Sequence, residues 1–247
     1  MDIGWSRSIS PRMILTSFET GGRAVVIGTG GIGTALAQAL EASSAFSDVT
    51  LLGRRTDPAL ELQDQESIAR SARAIGQGDG PIRLVIDATG FLHDSVHTPE
   101  RALRELTPDH MAKAFALNAI GPALIMKHYL PLLPREGKAV FATLSARVGS
   151  IGDNALGGWY SYRASKAALN QLTRTAAIEL RRTRPHAICC ALHPGTVATD
   201  LSAPFSKQGL SIQQPHEAAE KLLAVIDRLR FEDNAGFFDQ NGLPITW

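Results

Sequence analysis

The feature that most constrains this chain is a glycine-rich turn set between a strand and a helix. Residues 23–27, Arg-Ala-Val-Val-Ile, are a short, β-branched run of strand type. Gly28-Thr29-Gly30-Gly31-Ile32-Gly33 follows, and Ile32, Leu36, Ala39 and Leu40 then recur at helical spacing. Gly28, Gly30 and Gly33 stand in G-x-G-x-x-G register. The first glycine serves a tight turn, the second lets backbone approach a pyrophosphate, and the third brings helix against strand. The opening turn of such a helix offers unpaired N–H groups and the positive end of its dipole to phosphates. Residues 28–33 are therefore candidate dinucleotide-binding residues, with plain packing as the alternative.

The rest of the chain repeats this alternation. Strand-like runs at 48–52, weakly at 59–62, and at 81–88, 138–144, 187–192 and 236–238 are separated by helical patterns at 66–75, 107–133, 160–181 and 215–229. The pattern predicts an α/β fold: a single-domain, doubly wound (Rossmann-like) parallel sheet of six to seven strands with helices on both faces. Its 247 residues suit one such domain, over 23–247, after an N-terminal extension at 1–22 in which Met1 and Met13 are both candidate starts. Twenty-five basic residues against 24 acidic ones, net +1, argue against a nucleic-acid surface. No apolar run approaches the roughly 18–20 residues of a membrane span. Cys189 and Cys190 are adjacent in an apolar run, which reads as two reduced thiols and a cytoplasmic setting, and no metal-ligand spacing accompanies them.

Three further features carry chemistry. The second strand ends in Gly53-Arg54-Arg55 with no acid at its tip. An acid there would meet a ribose 2′-hydroxyl, whereas Arg54 and Arg55 could hold a 2′-phosphate, which favours NADP(H) while leaving NAD(H) open. Tyr162 and Lys166, four apart on a helix, share one face, and an ammonium beside a phenol favours the phenolate, tuning an acid whose reference pKa is near 10. An ordinary surface pair is the alternative. Asn118 lies four residues before Pro122, whose ring crowds the carbonyl of residue i−4 and frees it for water, or simply kinks the helix.

Tyr162-Arg163-Ala164-Ser165-Lys166 downstream of a glycine-rich strand–helix start resembles the short-chain dehydrogenase/reductases. The pieces run in family order from Arg23 to Asp200: Gly28–Gly33, Asp87-Ala88-Thr89-Gly90, Asn118, Ser145, Tyr162/Lys166 and Pro194-Gly195-Thr196-Val197-Ala198-Thr199. The wording at 145–151 and 159–166 looks most like the C-factor-like and sniffer-like carbonyl reductases. The resemblance implies an oxidoreductase moving hydride between NADP(H) and a small carbonyl or alcohol substrate. Tyr162 would be its acid–base, Lys166 would lower the tyrosine's pKa and hold the nicotinamide ribose, Ser145 would bind substrate oxygen, and Asn118 would support a relay water. Asp64 would contact adenine, Ala88 and Gly90 would line the cofactor channel, Thr199 would anchor the carboxamide, and Pro194, Gly195 and Val197 would bind the cofactor beside it. A homodimer or homotetramer through the outer faces of 107–133 and 160–181 is also implied.

Departures leave some readings open. The family's amide at the third strand's end is Asp87 here, and counting back from Gly149 leaves Ser145 or Ser150 as the substrate serine. Trp159 and Tyr160 would floor a pocket or pack, His193 would end a strand near the cofactor, and residues 203–214 read as a lid or an ordinary loop. The alternative function is a catalytically silent nucleotide-binding regulatory or signalling protein, and a lyase or epimerase is a third.

Overall fold

Alternate residues along each strand face opposite layers, so the sheet is apolar on both sides and must be covered twice. The structure, a computed structural model, describes residues 15–205 and 212–247. Its main sheet comprises β1 (Arg23–Ile27), β2 (Asp48–Leu52), β3 (Ile82–Asp87), β4 (Ala139–Leu144), β5 (Ala187–His193) and, after the short pair β6 (Thr196–Val197) and β7 (Ile212–Gln213), β8 (Phe237–Asp239). These six strands are parallel in the order β2-β1-β3-β4-β5-β8. One face buries Ala24, Val26, Leu84, Ile86, Val140, Ala142, Ile188 and Cys190 under α1 (Gly31–Ser43) and α6 (Pro215–Arg228). The other buries Val25, Ile27, Val85, Phe141 and Cys189 under α2 (Gln65–Gly76), α4 (Gly121–Tyr129) and α5 (Tyr160–Thr183). The adjacent cysteines thus point into opposite layers, and both are free and buried.

The long helical pattern at 107–133 is broken in the structure. α3 (Pro108–Phe115) passes into a π-helical turn at Ala116–Ile120, then α4, then a 3-10 turn at Leu130–Leu132. The wide turn sits where Pro122 interrupts regular i→i−4 bonding, and there the Gly121 N–H reaches back five residues to the Ala116 carbonyl. The weak strand expected at 59–62 is absent. Thr56 turns the chain by bonding Gly53 and Pro58, and Leu60 is apolar because it packs under α2 rather than because it pairs in the sheet.

Residues 15–22 pack as part of the domain, where the sequence reading placed its start at Arg23. Leu15 and Phe18 are buried in the core under α6, and the Phe18 ring lies 5.2 Å from that of Phe46, with the Lys138 ammonium 5.0 Å from its centroid. Thr16 and Ser17 bond the Asp227 carboxylate, and Glu19 pairs with Arg83. Residues 1–14, with Met13, and 206–211 of the expected 203–214 lid lie outside the described residues. Phe18→Ala should cost about 3 kcal/mol, the usual penalty for emptying a buried aromatic site, measured by urea unfolding. An effect under about 0.5 kcal/mol, typical of a surface position, would put Phe18 outside the core.

Candidate active site

The strand order reverses between β1 and β3, which opens a crevice at the carboxyl ends of these strands. The glycine turn fills the near side. Gly28 has φ +116°, and a Cβ there would lie 2.9 Å from the Ala88 carbonyl oxygen, while one on Gly33 would fall 1.8 Å from the Gly28 carbonyl. Only glycine permits β1, β3 and α1 to converge so closely. A Cβ on Gly30, by contrast, would meet open space, so its backbone is free to be approached. No side chain caps α1 and no acid stands in its first turn, leaving its opening amides for an anion. Thr29 is exposed beside this turn, against a Gly53 whose missing side chain makes room for it.

Arg54 and Arg55 are exposed at the end of β2 and make no ion pair among the described residues. Asp64 is placed differently from the rest of the expected cofactor set. Its carboxylate caps α2 by accepting the Glu66 N–H at 2.9 Å, with Arg70 3.7 Å away, and it lines neither of the cavities described below. An Asp followed by Gln-Glu-Ser at the head of a helical run is a capping signal, which accounts for this position without a ligand.

α5 is preceded by Trp159 at its N-cap position, whose φ of +53° puts it in the left-handed region. The Lys166 side chain is 2% exposed, and its ammonium donates to the Leu144 carbonyl at 2.8 Å. Burial pulls its pKa down to about 8, against an opposing effect from Asp87. That aspartate, fully buried at the tip of β3, accepts from Thr89 and from the Thr143 hydroxyl at 2.7 Å. Burial also pushes the Tyr162 phenol up to about 12. Burial is the one cause acting on the phenol, so the expected depression by Lys166 is not seen in the protein by itself.

Ser145 follows β4, donates to Asn170 Oδ1 at 2.6 Å, and lines the same space as Tyr162. Ser150 accepts from the Asp153 N–H and lines neither cavity. Asn170, which also donates to the Gly149 carbonyl, was missed from sequence. Its signal was there, since 162, 166 and 170 continue one four-residue stripe along α5. The Asn118 carboxamide is spent on bracing: it accepts from the Phe91 N–H at 2.7 Å and donates to the Phe91 carbonyl and to Ser165.

Two cavities meet here. One, of about 190 Å³, runs past Gly30, Gly31, Ala88, Gly90 and Lys166. The other, of about 410 Å³, opens among Leu92, Val148, Leu156, Trp159 and His193. Ile32, Ser145, Tyr162, Pro194, Thr199 and Leu201 belong to both walls. Gly195, at φ +77°, and Val197 line the larger one, and Thr199 touches the start of α1, 2.9 Å from where a Gly31 Cβ would be. Trp159 stands edge-on to Tyr162 at 6.1 Å, whereas Tyr160 lines neither cavity. Burial holds His193 near pKa 4, hence neutral.

Residues 26–223 match the family described as Enoyl-(Acyl carrier protein) reductase. The chain belongs to the short-chain dehydrogenase/reductase family. It is 34% identical to C-signal of Myxococcus xanthus over 169 residues, 68% of this chain and 94% of that protein. It is 31% identical over 202 residues to 1-hydroxy-2-glutathionyl-2-methyl-3-butene dehydrogenase of Rhodococcus sp. (strain AD45), covering 81% of this chain and 84% of the relative. Among solved structures it superposes on the NADPH-bound carbonyl reductase from chicken fatty liver with a TM-score of 0.81 at 25% identity, over 94% and 96% of the two chains. It shares the fold of the carbonyl reductase Sniffer of D. melanogaster, with a TM-score of 0.78 at 21% identity over 93% of this chain and 100% of that one.

For this short-chain dehydrogenase/reductase, burying Lys166 is a cost to the fold. The unfolded chain binds more protons between about pH 8 and the ordinary lysine value of 10.5, so stability rises with pH across that window and the penalty is full below it. Lys166→Met should therefore stabilise the protein by about 2 kcal/mol near pH 7, after about 1 kcal/mol is lost at the Leu144 carbonyl. That gain should shrink as the pH approaches 10.5. Urea unfolding at both pH values checks it, and a pH-independent difference would contradict the assignment.

Proposed function

We propose that this chain is an NADP(H)-dependent carbonyl reductase in which Tyr162 is the proton donor. The observation that carries the reading is that Ser145 and Tyr162 stand in the walls of both cavities, one leading to the glycine turn and the other lined mainly by apolar side chains. A bound nicotinamide dinucleotide supplies the hydride. The open Gly30 backbone and the uncapped start of α1 at Gly31 fit its pyrophosphate. Arg54 and Arg55 fit a 2′-phosphate. The backbone at Ala88 and Gly90, with Pro194, Gly195, Val197 and Thr199, would border its channel. The NADPH in the chicken carbonyl reductase structure supports the same choice. NAD(H) would lack a partner for the two guanidinium groups.

The chemistry assigned to the chain's own residues follows from their settings. A phenol held near 12 is fully protonated at neutral pH, so Tyr162 enters the reaction carrying the proton it must give. Ser145 turns its hydroxyl from Asn170 toward the substrate oxygen, and Asn170 holds the serine in place beforehand. As the proton leaves, the Lys166 ammonium one turn away offsets the phenolate charge, in a space dry enough for that attraction to count. The Asn118 carboxamide braces the Phe91 backbone, and its main-chain carbonyl, four residues before Pro122, would support a relay water.

We further infer a homodimer or homotetramer, supported by the apolar groove between α4 and α5 where Met126, Leu130, Leu172 and Ala176 lie. Two buried, unpaired thiols support a reducing, cytoplasmic setting. A second reading, a nucleotide-binding signalling protein without turnover, is favoured by the 34% identity to C-signal.

NADPH oxidation against a panel of aldehydes, ketones and quinones separates the two. Tyr162→Phe should lower turnover about a thousandfold, the scale of a lost general acid, with cofactor still bound. Near-full turnover in that variant would overturn the acid role, and binding without turnover in the wild type would favour the signalling reading. Arg54→Ala or Arg55→Ala should weaken NADPH binding by about 10- to 100-fold and leave NADH binding nearly unchanged, in line with one lost charged hydrogen bond. Equal effects on both dinucleotides in a fluorescence titration would contradict the 2′-phosphate role.

A further inference from the structure

Helices are usually started by a side chain that accepts the amide two or three positions on, and Trp159 at the head of α5 has no oxygen with which to do so. The missing cap comes from another part of the chain. Glu100, in the loop between β3 and α3, is 2% exposed; its Oε2 accepts the Ser161 N–H at 3.1 Å and its Oε1 accepts the Ser161 hydroxyl. Its backbone carbonyl accepts the Trp159 N–H at 2.5 Å. His110 of α3, 5% exposed, places Nδ1 3.2 Å from Oε1. Burial opposes the charge, but the hydrogen bonds from Ser161 and the nearby His110 outweigh it and hold the carboxyl below its ordinary value.

The same loop is tied down along its length. Asn118 grips Phe91 by both backbone groups, and the Phe91 ring meets His97 and His110 edge-on at 6.4 and 6.2 Å. Asp94 holds His97 and Lys113. Leu92 of this loop and Trp159 line the larger cavity, and Tyr162 follows Ser161 by one residue. The loop and the first turn of α5 are thus one braced unit.

We propose that Glu100, backed by His110, is a positioning residue that caps α5 from outside the helix and fixes Tyr162 against the substrate cavity. The proposal rests on the reductase reading. It deepens that reading by adding an acid with no place in the tyrosine–lysine–serine set. Glu100→Gln keeps the shape but turns an NH₂ toward one of the Ser161 donors. His110→Asn keeps an N–H donor near the Nδ1 position and tests how far His110 backs Glu100.

The experiment measures hydrogen exchange over residues 157–165 together with kcat, KM and the NADPH dissociation constant. In Glu100→Gln, exchange in the first turn of α5 should quicken about tenfold, as for a lost helix cap. Its kcat should fall on the order of 10- to 100-fold, as for a misplaced catalytic group, with NADPH affinity unchanged. His110→Asn, which keeps a donor to Glu100, should move exchange and kcat in the same direction by a smaller factor. Wild-type exchange in Glu100→Gln, or faster exchange with unchanged kcat, would overturn the proposal. A wild-type protein that binds NADPH but turns over no carbonyl compound would overturn the reductase reading, and the catalytic half of this proposal with it. The exchange comparison would still decide whether the clamp exists.

Discussion

Everything in the site depends on how closely three backbones approach at the reversal between β1 and β3. Gly28 and Gly33 let β1, β3 and α1 converge to distances that no side chain survives. That contact aims the uncapped start of α1 into the crevice and sets the tip of β3, with Asp87 and Gly90, beside Lys166. Neighbouring β4 brings Ser145 to the same edge, and α5 lies across it. The order of strands is thus the cause and the convergence of residues from five separate segments the consequence.

The centre of the site is unfavourable to the fold that contains it. A buried ammonium, a buried carboxylate and a buried phenol, each pulled toward its neutral form by desolvation, stand within one small region. In the protein alone the phenol holds its proton more firmly than it would in water. In the proposed reaction such a tyrosine enters as a well-loaded donor, with an ammonium already in place for its discharge. This is strain of the electrostatic kind, kept because the surrounding sheet and helices leave those groups nowhere else to go.

The glycine turn, the alternation of strands and helices and the Tyr162/Lys166 pair were legible because each depends on residues close in sequence, with periods of 2 or 3.6. Ser145 was legible as a candidate, and its choice over Ser150 needed the turn at Arg147–Gly149 that directs one into the cavity and the other away. Glu100 was invisible because its partner is 61 positions away and nothing local marks a cap given across space. Leu15 and Phe18 cover the core from an irregular segment, with no period to betray them. At Asp64 a local capping signal, Asp-Gln-Glu-Ser ahead of a helical run, accounts for the cap seen on α2, while contact with adenine is what the resemblance implies.

In the proposed reaction a hydride donor and a carbonyl carbon meet at the wall shared by the two cavities. The most direct measurement follows NADPH deuterated at the reactive nicotinamide carbon, with mass spectrometry of the alcohol formed. The prediction is one deuterium on the carbinol carbon of the product. Cofactor that binds and is consumed without that transfer, its label lost to solvent, would contradict the claim.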